Sequence, residues 1–128
     1  MRFLLDTNIL LWALADPDRL GKGNRDLIED PANDILFSAA SIWEIAIKSA
    51  LGRADFAVNP IEIASRAVQA GFEELPILSL AAAEVMHLPH HHRDPFDRLL
   101  VAQAMVNDLR LLTADPVLPQ YSPLVILV

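Results

Sequence analysis

Hydrophobic and polar positions along the chain switch repeatedly between a short apolar run and a helical repeat. Arg2 to Leu5 (RFLL) has the length and composition of a buried strand, and Thr7 to Ala15 carries Ile9, Leu10, Trp12 and Ala13 at helical spacing up to Asp16-Pro17. A polar stretch follows, then a helix near Asn24 to Glu29 and a second apolar run, Asp34 to Phe37 (DILF). SAASIWEIAIKSALGR predicts a long helix: Ser41 and Glu44 have the S-x-x-E capping spacing, Lys48 lies one turn beyond Glu44, and Gly52 is a stop. Asn59-Pro60 opens another helix to about Gly71. Leu75 to Leu78 (LPIL) reads as a third strand, whose Pro76 suits a sheet edge. Ser79 is the expected cap of LAAAEVMHL, Asp94-Pro95 opens a helix through about Leu109, and RLLT and VILV complete the strands. Strands alternating with helices predict a mainly parallel sheet covered on both faces, an α/β fold of three layers, α/β/α. No repeat, low-complexity tract or linker interrupts it, so one domain over residues 1–128 is expected.

Composition narrows this picture. Hydrophobic residues make up 53% of the 128 residues against 21% charged, enough for a real core and for apolar surface left to a partner, either a second copy or another chain. No apolar run approaches the roughly 18 residues that cross a bilayer, and Asp6 breaks the first hydrophobic stretch before it can act as a signal peptide. The expectation is a soluble, cytoplasmic protein with no membrane role. The absence of cysteine excludes disulfides and thiolate metal sites and fits a reducing compartment, so any metal is held by oxygen or imidazole. The formal net charge of −7 is the wrong sign for a broad basic nucleic-acid face. Acids gathered around a divalent cation are the exception, because the ion reverses the field that a phosphate feels.

In a parallel α/β sheet, the carboxyl ends of strands and the amino ends of the following helices share one edge, where ligands bind. Asp6 directly follows the first strand, Asp115 lies just past RLLT, Asp97 is in the first turn of the helix that Asp94 opens, and Glu44 follows DILF. Helix amino ends favour ionised carboxylates there. Each acid taken alone is an ordinary cap or first-turn residue, and Glu62 in NPIE has the same local spacing. Asp6 stands apart because a charge between a buried strand and a buried helix is costly unless paired or bound to metal. Carboxylates brought close together repel unless a cation neutralises them, and hard oxygen ligands suit Mg²⁺ or Mn²⁺.

FLLDTNILLWAL, SAASIWEIAIKSALGR, HHRDPFDRLLVAQA and LLTAD, in this order and over essentially the whole chain, resemble the PIN-domain family, and more closely its VapC-type toxins of bacterial toxin–antitoxin pairs. The resemblance implies a five-stranded parallel sheet in the order 3-2-1-4-5 and an Mg²⁺- or Mn²⁺-dependent ribonuclease acting on RNA. It also implies a homodimer neutralised by a VapB-like antitoxin. Matched motif by motif, Asp6, Glu44, Asp97 and Asp115 are the four acids of the site. Asp6, Asp97 and Asp115 become metal ligands, directly or through water, and Glu44 a ligand or the group orienting the attacking water. Thr7 or Asn8, Ser38 and Thr113 match polar positions that support the site by hydrogen bonding. The implied strand order separates Glu62, whose helix leads to the outermost strand, from these four. Asp94 is read as the helix cap, with a supporting or water-mediated role as its alternative.

Lys48, Arg93 and Arg98 are candidates for contact with RNA phosphate; for Lys48 and Arg98 the alternatives are an ion pair with Glu44 and a plain surface charge. His87, His90, His91 and His92 do not form a zinc site, because three consecutive histidines in an extended loop cannot all face one ion; a solvated loop is expected, with His92 alone able to support the site or touch RNA. Trp12 and Trp43 fall in apolar helices and are expected in the core or a dimer interface rather than stacked on bases. Leu10, Leu11 and Leu14 suit a partner equally well. Two other functions compete. A phosphatase of the haloacid-dehalogenase kind needs D-x-D-x-T, and Asn8 occupies its second acid position. A catalytically silent binding module would be expected to have lost one of the four acids, and all are present.

Overall fold

A computed structural model describes residues 1–52 and 58–128; Arg53, the last residue of the SAASIWEIAIKSALGR block, lies outside them. The strands are β1 (Arg2–Leu5), β2 (Asp34–Ser38), β3 (Glu73–Leu75), β4 (Arg110–Thr113) and β5 (Val125–Leu127). They form one parallel sheet in the order β3-β2-β1-β4-β5. The helices are α1 (Thr7–Ala15), α2 (Lys22–Glu29), α3 (Ala39–Ala50), α4 (Pro60–Gln69), α5 (Ser79–Glu84) and α6 (Pro95–Asn107).

Successive strand residues point to opposite faces, and this alternation divides the core in two. Phe3, Leu5, Ile35, Phe37 and Leu112 pack with Ile9 and Leu10 of α1, Ile28 of α2, Ile45 of α3 and Ile63 and Ala67 of α4. Leu4, Leu36, Leu111 and Val125 face the other way, onto Leu100, Val101 and Ala104 of α6 with Leu88 and Leu118. Because both faces are covered, the inner strands read as continuous apolar runs instead of alternating ones. The three-layer α/β/α arrangement expected from the sequence is the one found.

Several boundaries differ from expectation by a residue or two, and four of the differences have a clear local reason. The third strand is Glu73–Leu75, ending where LPIL was expected to begin: Leu75 pairs with Ser38, and Pro76, with no N–H, cannot extend the ladder. It is nonetheless an edge strand of the sheet, as expected. The helix after β2 is capped three residues before Ser41 and starts at Ala39, because Ser38 accepts the Ala40 N–H as its cap and leaves Ser41 and Glu44 inside the helix. Ser79 is the first residue of α5 and caps nothing; the helix ends at Glu84 and passes into a single tight turn, Val85–His87. Helix α6 stops at Asn107, since Asp108 takes a left-handed conformation (φ 53°) and turns the chain into β4.

The layers are locked together beneath the carboxyl edge by a buried polar bridge. Ser38 at the end of β2 donates to Gln103 Oε1 of α6, and Gln103 donates from Nε2 to the Pro76 carbonyl beyond β3 (3.3 Å). Gln103→Leu leaves the Ser38 hydroxyl and the Pro76 carbonyl without these partners. A loss of about 1–3 kcal/mol in urea unfolding is expected, with no change in the circular dichroism of the folded state.

Candidate functional site

The parallel strands deliver Asp6 from β1, Ser38 from β2 and Thr113 from β4 to one edge, and the helices that follow or face them begin there. Asp6 is buried and caps α1, accepting the Ile9 N–H on Oδ1 at 2.8 Å. Its other oxygen accepts the Thr113 hydroxyl at 2.5 Å, and the same hydroxyl oxygen accepts the Asp115 N–H at 3.0 Å. One threonine therefore ties two acids together. Glu44 is buried on the second turn of α3; Oε1 accepts the Thr7 hydroxyl at 2.7 Å and Oε2 the Lys48 ammonium at 2.6 Å. Thr7 Oγ1 is also 3.0 Å from Ser41 Oγ. Asp97 stands in the first turn of α6, which Asp94 caps by accepting the Phe96 and Asp97 N–H groups.

The electrostatics join these acids into one group. Burial pushes the Asp97 carboxyl up to about 7, Asp94, Asp6 and Glu44 raise it further by repulsion, and His92 pulls the other way when its ring is protonated. Burial likewise pushes Asp6 up to about 6, against the lowering effect of its bonds from Thr113 and Ile9 and with repulsion from Glu44 added. Burial is the larger cause of both shifts and repulsion between the acids adds to it, so the ionised edge lacks compensating positive charge. A divalent cation with hard oxygen ligands meets that need, so the donor set fits Mg²⁺ or Mn²⁺. The ligand atoms of Asp97, Asp115 and His92 all lie within 4.8 Å of one another.

The remaining polar candidates divide. Thr7 and Thr113 bond to the acids, whereas the Asn8 side chain is exposed. Ser38 acts one step removed, as the α3 cap and the anchor of Gln103. Asp94 is the α6 cap. Glu62 is exposed in the first turn of α4 and does not join the cluster.

Of the basic candidates, Arg93 is exposed on the wall of an open cleft of about 650 Å³ that it lines with His90, His91, His92 and Arg98. Lys48 is drawn onto Glu44. Arg98, expected from the sequence to contact RNA phosphate or to be a plain surface charge, is instead 9% exposed with its guanidinium engaged within the fold: Nη1 donates to the Pro89 carbonyl (2.8 Å) and Tyr121 Oη (3.1 Å), and Nη2 to the Val85 carbonyl (3.2 Å). Trp43, expected in the core or an interface, is 56% exposed with its ring edge-on to Phe96; Trp12 packs against the core beneath Arg19. Sequence reasoning assigned no role to Gln103 or Tyr121, read Ser41 only as a cap, and expected a solvated loop in which His92 alone supports the site or touches RNA. No local signal marks Gln103 or Tyr121, whose partners are remote in sequence.

The family model for the PIN domain matches residues 3–122. No characterised protein matches the chain by sequence at a significant level. Among solved structures, the chain is similar to VapBC2 from Rickettsia felis bound to a DNA fragment from their promoter, with TM-score 0.69, 17% identity, and coverage of 99% of this chain and 97% of that one. It is also similar to FitAcB from Neisseria gonorrhoeae, with TM-score 0.59, 22% identity, and coverage of 91% and 89%.

The raised carboxyl values carry a sign. A carboxyl whose pKa is higher in the fold than in the unfolded chain holds a proton on folding, so its contribution is most favourable below about 4, the ordinary value. That contribution is lost as pH rises to about 7 for Asp97. In EDTA the Tm of the wild type should therefore fall between pH 5 and pH 8 by roughly 5 °C more than that of Asp97→Asn. Mg²⁺ should remove most of the difference. Parallel pH profiles for the two proteins in differential scanning calorimetry would contradict the assignment.

Proposed function

The chain belongs to the PIN-domain family, and on that premise we propose that it is one PIN domain acting as an Mg²⁺- or Mn²⁺-dependent endoribonuclease of the VapC type, which hydrolyses RNA phosphodiester bonds. The observation that carries this reading is the convergence of Asp6, Glu44, Asp97 and Asp115 on a single sheet edge, with charge in excess of its hydrogen bonds.

Asp97 and Asp115 are the ligands in this reading, with Asp6 joining them directly or through water. Its carboxylate accepts from the Ile9 N–H, the Thr113 hydroxyl and the Ala114 backbone, which leaves one of its four lone pairs for an ion or a water. The bound ion supplies Lewis acidity at the phosphate and at the attacking water. Glu44, held at both oxygens by Thr7 and Lys48, orients that water toward phosphorus. The Lys48 charge tempers the repulsion that Glu44 adds to the site. Arg93 provides the phosphate contact along the open cleft, and the net charge of −7 makes RNA affinity depend on the ion and on this local strip.

A VapB-like antitoxin and a second copy of the chain are the protein partners in this reading. Trp43, Ile47 and Leu51, one turn apart on and just past α3, are exposed apolar side chains that support a protein contact. The likeness in fold to VapBC2 is consistent with such a partner.

Cleavage of an RNA panel by the purified protein is expected with Mg²⁺ or Mn²⁺ and not with EDTA. Asp6→Asn and Asp97→Asn should each reduce the rate by roughly 100-fold or more while keeping the wild-type circular dichroism. Equal cleavage under all these conditions would sink the metal mechanism.

A further inference from the structure

We propose that His92 is the positioning residue of the acidic edge: its ring donates from Nε2 to Asp115 and holds that carboxylate for the ion, and it is not itself a ligand. The claim deepens the metal-site reading above and rests on it.

Three contacts define the ring. The backbone N–H of Asp94 points at Nδ1 at 2.9 Å. An N–H can only donate, so Nδ1 accepts and carries no proton; the single proton of a neutral imidazole is then on Nε2. Nε2 lies 2.8 Å from Asp115 Oδ2 and 3.7 Å from Asp97 Oδ2, so that proton goes to Asp115. The second oxygen of Asp115 accepts the Val117 N–H at 2.9 Å. The carboxylate is thus held at both ends, with a lone pair left on each oxygen.

Distance alone would make His92, Asp97 and Asp115 a three-ligand site, since their ligand atoms lie within 4.8 Å of one another. An imidazole binds a metal through an unprotonated nitrogen. For Nε2 to do so, the ring proton must move to Nδ1, where it would face the Asp94 N–H. That amide belongs to the residue capping α6, so turning it away would disturb the helix start that presents Asp97.

The loop that carries the ring is clamped from two elements. The His92 N–H donates to Tyr121 Oη at 2.8 Å, and Arg98 donates to the same Tyr121 oxygen and to the Pro89 carbonyl. Arg98 adjoins Asp97 in α6, and Tyr121 lies between β4 and β5, so the ring is referenced to both segments whose acids it stands between.

The test reads metal binding and ring chemistry apart from RNA cleavage. The ring ¹⁵N shifts of His92 in the metal-free wild type should report the Nε2–H tautomer, and the same tautomer should persist on saturation with Mg²⁺. An Nδ1–H tautomer in either state overturns the proposal. In calorimetric titrations with Mn²⁺ alone, His92→Ala should bind about 10- to 100-fold more weakly. His92→Gln, whose amide N–H reaches the Nε2 position, should recover most of that loss. Wild-type affinity in His92→Ala, or no recovery in His92→Gln, also overturns it. If the wild type binds no Mn²⁺, or binds it as well as Asp97→Asn does, the metal-site reading has failed. The tautomer of the metal-free protein still decides the role of His92.

Discussion

The structure depends on a concentration of carboxylates at a sheet edge where Asp6 and Glu44 are buried and Asp97 and Asp115 are partly so. Taken alone, Asp6 as the α1 cap and Asp97 in the first turn of α6 are inexpensive there, because the amide dipoles favour negative charge, while Glu44 and Asp115 are held by hydrogen bonds from Thr7, Lys48 and Val117. Together they repel, and burial denies them the solvent that would screen the repulsion. The carboxyl pKa values of Asp97 and Asp6, about 7 and about 6, express that conflict. The surrounding sequence reduces it without removing it. Thr113 and Thr7 donate hydroxyls, Lys48 brings a positive charge to Glu44, and the α1 amide of Ile9 donates to Asp6. What remains is negative charge without a balancing cation, which a divalent ion would neutralise.

Holding such a site requires stiffness across layers that the hydrophobic core alone does not provide. The apolar clusters on the two sides of the sheet set its overall position, but contacts of that kind have little directional preference. Direction comes from the buried polar bridges near the carboxyl edge. Ser38 and Gln103 connect β2 to α6 and to the end of β3. Arg98 and Tyr121 connect α6 and the segment before β5 to the histidine loop. None of the buried side-chain polar atoms among the described residues lacks a partner, which is the condition under which such networks rigidify a fold instead of weakening it.

Much of this was legible along the chain. The strand runs, the helix of Thr7–Ala15, the Asp94 cap and the edge placement of the third strand follow from side-chain period and from the backbone limits of proline. The errors were local competitions between similar signals. Ser38 and Ser41 both suit a cap, and only the end of the β2 pairing selects the first. LPIL looks like a strand by composition, but the ladder closes at Leu75 because Pro76 has no donor.

The sequence by itself determined the type and order of the elements and placed the four acids at strand ends and in helix segments near one edge, because those properties depend on neighbours a few residues away. The tertiary structure alone decided which polar groups meet. Asp6 meets Thr113 across 107 residues and Ser38 meets Gln103 across 65, contacts no local pattern encodes. It also decided the orientation of ambiguous side chains. Arg98 turns inward because three carbonyls and a phenol surround it, and Trp43 remains at the surface against Phe96. His92 emerges from a run that looks like solvated loop and becomes a member of the acidic edge. A hydrogen bond is specified by position and direction in space, and those are settled only when the layers have packed.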